Sequence, residues 1–593
     1  MSVDLKAKPW NLNDRQIQWV KETLETMTPD EKVGQLFCPC LSSFMPEAVK
    51  QVTDLHIGSV MLRPSDAGTL QENVRALQKA SKIPMLISAN LENGGCGAVE
   101  QGTDFAMPMG CTATGDPVNG YRLGKISCRE AAAAGVNWGY APIVDIDNNY
   151  RNPITNIRAF SHDPKEVLTM AQGYMKAAKE EGIAPTIKHF PGDGCDERDQ
   201  HLLISVNDLS YKDWMDSYGM IYKTLIQEGA PSVMVGHIAQ PAAARALCPG
   251  ISDGDAFLPG SQSKAILTDL LRGELQFNGL VVTDSTLMVG YMQAMPRRLA
   301  IPRSIENGAD MILFSRVLEE DIAYMKQGMK DGLVSAERVD EAVTRVLAMK
   351  AMLKLPEKAE RDEIVPHCDL EGVIHNPETR EWVKECADHA VTLVKDQGVL
   401  PLSPEKTKRI YLNVIEMDVK NNSPFALGIK SRLEKEGFDV TLRQRELHLD
   451  PEDFLSGNPS EDTLRVMSEI SATTESFVSQ YDLTFILINI PTVSNATTVR
   501  INWAVLYGLG NDIPWYSGEM PVVAVSTANP YHLLDIPMAH TFINAYSSNP
   551  ETLDAVFEKL MGRSEFKGKS PVDAFCGHED TKALAGREPI FRK

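Results

Sequence analysis

Residues 183–201 read IAPTIKHFPGDGCDERDQH, an apolar run that breaks at Pro191-Gly192 and Gly194 into a loop dense in titratable groups. Lys188, His189, Asp193, Asp196, Glu197, Asp199 and His201 all fall within it. The pair Asp199-x-His201 suits a carboxylate that orients an imidazole, which makes histidine a proton donor and acceptor near neutral pH. The loop admits two other readings: a divalent-metal site built from its histidines and aspartates, and a solvated acidic loop.

Other runs end in reactive groups. Val281-Val282-Thr283-Asp284-Ser285 delivers a carboxylate where a buried strand would emerge. An aspartate that only caps the next helix is the plainer alternative. Residues 88–95, SANLENGG, set Asn90 and Glu92 before two glycines, as a tight loop close to a ligand or a solvated turn would. Arg158 lies in a loop beyond Ala141-Pro142-Ile143-Val144-Asp145. Its fork of donors can hold hydroxyls or a carboxylate, or make a surface ion pair.

Positioning these groups takes a scaffold that ends buried strands at one mouth. Apolar runs recur at 34–40, 57–62, 84–89, 136–146, 183–190, 232–238, 280–284 and 310–314. Helix-like segments such as 66–80, 163–181 and 263–271 mostly separate them. Eight strand-then-helix units in a row predict an α/β fold of the (β/α)8 barrel type, with its chemistry at the carboxyl ends of the strands. Residues 14–27 read as a helix. The next starts at Thr28-Pro29-Asp30-Glu31, with Thr28 as N-cap, Pro29 in the first helical position and Glu31 completing a capping box.

A helix over 335–355 closes the barrel, so residues 1–355 form the expected first domain. The charged stretch 356–385, with its Pro and Gly, is the expected linker. Residues 386–593 predict an α/β sandwich domain with a C-terminal tail after Gly562. Its candidate strands are 390–393, 409–414, 440–442, 483–490, 522–526 and 540–544, and its helices include 425–435, 461–480 and 550–560. Continuous apolar strands alternating with helices imply a mostly parallel sheet covered on both faces.

Lys+Arg 59 against Asp+Glu 80 gives a net charge of -21. That argues against nucleic acid or an anionic membrane as partner, since both need a basic footprint. The start, MSVDLKAKPWNLNDRQIQWV, has no apolar core of a signal peptide, and no run approaches the length of a membrane span. The ten cysteines are scattered, only Cys38-Pro39-Cys40 are close, and they read as reduced thiols. The expected location is the cytoplasm.

Several stretches, taken together and in order, resemble glycoside hydrolase family 3 over nearly the whole chain. They are residues 27–36 (MTPDEKVGQL), 140–146 (YAPIVDI), 157–164 (IRAFSHDP) and 387–402 (ADHAVTLVKDQGVLPL). The KHFPG run followed by Asp-x-His is similar to the family's β-N-acetylglucosaminidase branch. The resemblance implies a retaining exo-β-N-acetylglucosaminidase, with Asp284 as nucleophile and His201, paired with Asp199, as acid/base. Sugar contacts map onto Lys188, His189 and Arg158, and also onto Asn90 or Glu92. The chain differs from the commoner branch pattern at Asp193, where a histidine is usual, at Asn90, where an aspartate is usual, and in the inserted Asn93. A phosphorylase on the same scaffold, a β-glucosidase and a non-catalytic sugar-binding protein are the alternatives. No cofactor and no metal are implied. The implied partner is a small carbohydrate, an N-acetylglucosaminide, and assembly as a homodimer is left open.

Overall fold

A computed structural model describes all residues but 1–2, 418–421, 444–449, 471–472, 504–512, 588 and 590–593. The chain divides into two compact units. The first comprises Met1–Thr112, Asp116–Val383 and the short segment Ser494–Thr497, and the second comprises Ala113–Gly115, Lys384–Val493 and Thr498–Lys593.

The first unit is a barrel of parallel strands. They are β1 (Phe37–Cys38), β2 (Cys40–Leu41), β3 (Ser59–Leu62), β4 (Leu86–Ala89), β5 (Trp138–Gly139), β6 (Ala184–Phe190), β8 (Ser232–Val235), β10 (Leu280–Ser285) and β11 (Met311–Leu313), with a small pair, β7 (Ser205–Val206) and β9 (Ile238–Ala239), beside them. All eight apolar runs contain strand. The ninth arises because the first run is broken at Pro39: β1 pairs with β11 and β2 with β3, so the two halves close the ring. Pro39 has no N–H to give a ladder, but its carbonyl still accepts from Met61 N–H at 2.9 Å. The strands are buried on both faces, which is why they read as unbroken apolar runs rather than alternating ones.

Local chemistry sets the helices where the sequence puts them. Asp14–Thr26 starts after an Asn13 N-cap. Pro29–Gln35 starts with the expected capping box, Thr28 accepting from Glu31 N–H and Glu31 from Thr28 N–H. The helices Ala67–Ala80 and Pro164–Glu180 sit within a residue of their expected ranges. The stretch expected as an α-helix over 263–271 is a π-helix, Ala265–Glu274. Residues 356–385 carry helical pieces, Leu355–Glu360, Leu370–Ile374 and the start of Pro377–Ala390.

The second unit holds one sheet of β12 (Thr392–Asp396), β13 (Arg409–Glu416), β14 (Asp439–Leu442), β15 (Leu483–Asn489), β16 (Val522–Ser526) and β17 (Thr541–Asn544), in the order β12-β17-β16-β15-β13-β14. Only the β12–β17 pair is antiparallel. Leu412, Phe485, Leu487, Val523, Val525 and Ile543 anchor its core, with helices Pro424–Lys435 and Pro550–Leu560 packed on it. The helix expected over 461–480 appears as Glu461–Ile470 and Thr474–Val478, and residues 471–472 lie outside the described residues. Beyond Gly562 the chain is mainly loop, with one short helix, Glu579–Ala585. No helix among the described residues is long and apolar enough to cross a membrane.

Candidate active site

The charged groups singled out from the sequence gather at the carboxyl ends of β4, β6 and β10. Two of these ends are irregular. The β6–β8 register shifts between Ile187 and Phe190, and the β10–β11 register between Val282 and Ser285. Such bulges re-aim side chains out of the strict alternation of a strand. Here they fall on Lys188-His189 and on Asp284, the residues that need it.

Asp284 is the centre of the constellation. Its side chain is 15% exposed, its Oδ1 accepts Ser285 N–H at 2.7 Å, and its Oδ2 lies 4.0 Å from His189 Nε2. Burial alone would raise its pKa. The surrounding imidazoles, His189 foremost, outweigh that and hold the carboxyl below its ordinary value. The group is therefore an ionised carboxylate at neutral pH, at the end of a buried strand.

Two histidine–aspartate pairs flank it. His201 Nδ1 lies 2.6 Å from Asp199 Oδ1, which also accepts His201 N–H at 2.9 Å, while Asp199 Oδ2 accepts Asn495 N–H at 2.7 Å. Burial pushes Asp199 up, and the hydrogen bond and charge of His201 bring it below its usual value. An ionised Asp199 can only accept, so it fixes the proton on Nδ1 and leaves Nε2 for transfer. The second pair is His189 Nδ1 with Asp145 Oδ2 at 2.7 Å, and Asp145 Oδ1 accepts the N–H groups of His189 and Asp193. This pins the His189 ring with Nε2 toward Asp284.

The loop that links His189 to the His201–Asp199 pair has a built-in turn. Gly194 has φ +103, and a Cβ there would meet the Ile146 carbonyl at 1.9 Å, so only glycine fits. Asp193 beside it accepts from Gly194 N–H, Asn152 Nδ2 and Gln200 Nε2. Burial and the charge of Asp145 push Asp193 up to about 7. Gln200 in turn accepts His237 N–H at 2.8 Å. His237 is pushed down to about 4 by burial, so it is neutral. Its Nε2–H donates to the Ser285 carbonyl at 2.9 Å, and Nδ1 accepts from Ser261 Oγ at 2.8 Å. A neutral, fully bonded imidazole thus braces the backbone next to Asp284.

The third element is an ion cluster. Arg158 Nε and Nη2 donate to both Glu92 oxygens at 2.9 Å each, and Lys188 Nζ donates to Glu92 Oε1 at 2.6 Å. Burial would raise Glu92, but the Arg158 and Lys188 charges hold it well below the usual carboxylate range. All of Glu92's charge is engaged, so it organises the two cations. Asn90 stands exposed at the end of β4.

The structure therefore brings Glu92, Arg158, Lys188, His189 and Asp284 together, and pairs His201 with Asp199. Asp145, His237 and Asn495 join the site, although the sequence reading assigned them no role in it, and Asp193, read there as a loop carboxylate or a metal ligand, braces the loop instead. His237 ends the sixth apolar run, so the strand-end rule that found Asp284 would also have found it. No group of three or more His, Cys, Asp or Glu side chains fit to hold a metal occurs among the described residues. A cavity of about 910 Å³ opens at the amino ends of the strands, against Ile183, Ala184 and Pro231, and includes none of these groups.

Comparison with known proteins identifies the family and the fold. The family model described as "Glycosyl hydrolase family 3 N terminal domain" matches residues 28–349. A "Beta-N-acetylglucosaminidase/beta-glucosidase" of Cellulomonas fimi is 43% identical over 582 residues, 98% of this chain and 100% of that protein. A solved structure of a "Beta-glucoside phosphorylase BglX" bound to 2FGlc is 44% identical, covers 97% of this chain and 99% of its own, and superposes with a TM-score of 0.88. A family 3 β-N-acetylglucosaminidase from Paenibacillus sp. str. FPU-7, 23% identical, shares the fold with a TM-score of 0.75 over 93% of this chain and 99% of that one.

Proposed function

Because the chain belongs to glycosyl hydrolase family 3, we propose that it is a retaining, exo-acting enzyme that cleaves terminal β-linked N-acetylglucosamine. The supporting observation is Asp284, an ionised carboxylate at the end of β10, flanked by a His201–Asp199 pair with a defined tautomer. Asp284 attacks the anomeric carbon while His201 Nε2–H gives its proton to the departing oxygen. A covalent glycosyl–enzyme forms. Water then attacks the same carbon and passes its proton to His201 Nε2, which restores both groups. Asp199 stabilises the imidazolium that exists on loss of the water proton and keeps the ring oriented. His189, Lys188 and Arg158 hold sugar hydroxyls, the two cations being set by Glu92. The name of the Cellulomonas fimi relative pairs this glycone with glucose, and β-glucosides are a second substrate class in this reading.

A second reading has phosphate as the acceptor. It is favoured by the 44% identity to a protein titled a glucoside phosphorylase. The chemistry is compatible. A neutral imidazole where other enzymes place a carboxylate repels phosphate little, and a phosphate dianion attacks without giving up a proton. The test is to incubate the protein with aryl β-N-acetylglucosaminide and aryl β-glucoside, each with and without phosphate, and follow the first product by NMR. Free sugar released first as the β-anomer, whatever the phosphate, is the expected result. A phosphate-dependent 1-phosphate transfers the reaction to the second reading. An α-anomer formed first overturns retention, and no turnover of either glycoside overturns both readings.

A further inference from the structure

We infer that the leaving-group side of the active site is an apolar collar that selects substrates with an alkyl or aryl aglycone; the inference rests on the glycosidase reading above. Two apolar tripeptides adjoin the catalytic groups. Leu202-Leu203-Ile204 follows His201 directly, and Leu287-Met288-Val289 begins three residues after Asp284. The loops are knitted together. Val289 N–H donates to the His201 carbonyl at 2.9 Å. The next residue, Gly290, lies so close that a Cβ there would meet the Gln200 and Leu203 carbonyls at 2.4 and 2.7 Å. The segment with Leu287 and Val289 is thus held by backbone contacts against the one that carries His201 and Leu203.

Their exposure is the unexpected feature. Leu203 is 45% exposed, Leu287 46% and Val289 41%, while Leu202 and Ile204 are half-buried. A single exposed leucine needs no explanation, but three exposed apolar residues on two joined segments that adjoin His201 call for one, and exposed apolar surface of this kind marks binding sites. The proton donor must stand next to the departing oxygen, so whatever that oxygen carries lies against the residues around His201. A second sugar would cover these side chains with hydroxyls that they cannot hydrogen-bond. An alkyl chain or aromatic ring buries them without loss.

The test uses methyl and octyl β-glycosides of both N-acetylglucosamine and glucose. The two alcohols differ little in acidity but greatly in apolar area, so chemistry is matched and contact is not. The parent should favour octyl over methyl in kcat/KM by about tenfold or more, in line with what a few methylenes are worth in an apolar pocket. Leu203→Asn with Leu287→Asn should bring that ratio close to one and leave the methyl glycoside unchanged. Leu287→Met, which keeps the apolar surface, should retain it. A flat ratio in the parent, or a steep ratio untouched by the asparagine pair, would overturn the collar. Turnover of the methyl glycosides with a flat ratio sinks this inference alone, whereas turnover of neither sugar sinks the glycosidase reading beneath it.

Discussion

Two histidine–aspartate pairs of nearly identical design take both histidines from one stretch, 189–201, and sit in different surroundings. In each, the aspartate accepts the Nδ1 proton of its histidine, the backbone N–H of that histidine and one more backbone N–H. In the inner pair that last donor is Asp193, four residues further along the same loop. In the outer pair it is Asn495, 296 residues from Asp199, in the segment Ser494–Thr497 that groups with the barrel unit. The inner ring, His189, is 7% exposed and points at Asp284, while the outer ring, His201, is 24% exposed. A His–Asp pair is therefore not by itself an acid/base. What distinguishes the two is access: the outer imidazole is the more exposed, as the proposed acid/base must be, and the inner one is confined beside Asp284, the proposed nucleophile.

The strongest way to sharpen this contrast is to remove the group both pairs serve. Asp284→Ala should lower turnover by roughly ten-thousandfold or more on good and poor leaving groups alike, because the proposed glycosyl–enzyme forms on its carboxylate. Added azide should restore part of the rate on an aryl glycoside and yield the α-glycosyl azide. Substantial azide-independent activity with retention would remove Asp284 from the role.

The next effect separates the pairs. His201→Ala should lose about a hundred- to ten-thousandfold on an alkyl glycoside, whose alcohol needs a proton to depart, and far less on an activated aryl glycoside. Asp199→Asn should follow the same pattern more weakly, with KM little changed. His189→Ala should instead reduce kcat/KM by about a hundredfold on both kinds, since a lost contact to the sugar does not depend on the aglycone. If His189 and His201 variants showed the same leaving-group dependence, the difference in access would not be the difference in role.

The same contrast explains what the sequence could reveal. Strands buried on both faces leave unbroken apolar runs, so all eight barrel segments were readable, as were β13, β15, β16 and β17 of the second unit, whereas the edge strands β12 and β14, only partly buried, were read from their apolar and β-branched residues. Asp284, Glu92, Lys188 and His189 stood where such runs end. Asp145 did not stand out, because the run 136–146 reads as one strand while the ladder keeps only Trp138–Gly139. The residues after it remain buried and meet β6 only through an isolated bridge, Ile143 to Lys188, and hydrophobicity does not distinguish that from a continuous strand. The engagement of Glu92 by two cations was also hidden, since Arg158 and Lys188 come from other strand ends. Asn495 gave no signal at all: its part is a backbone N–H, and every residue but proline has one.

That last contact offers the finest test of the comparison. Asn495 has φ +67, a left-handed conformation that asparagine tolerates and a β-branched residue does not. Asn495→Val should strain the segment and shift the N–H from Asp199 Oδ2, while the inner pair, which takes its extra N–H from Asp193, stays as it is. The expected loss is small, roughly three- to tenfold on alkyl glycosides, about what one hydrogen bond to a carboxylate is worth. Aryl glycosides should be nearly unaffected, so a plot of rate against leaving-group acidity should steepen. Asn495→Gly, which adopts the same conformation without strain, should restore the parent slope. An equal loss on both kinds of substrate would mean that the segment shapes the sugar site instead, and the two pairs would then differ in something other than the donor each one recruits.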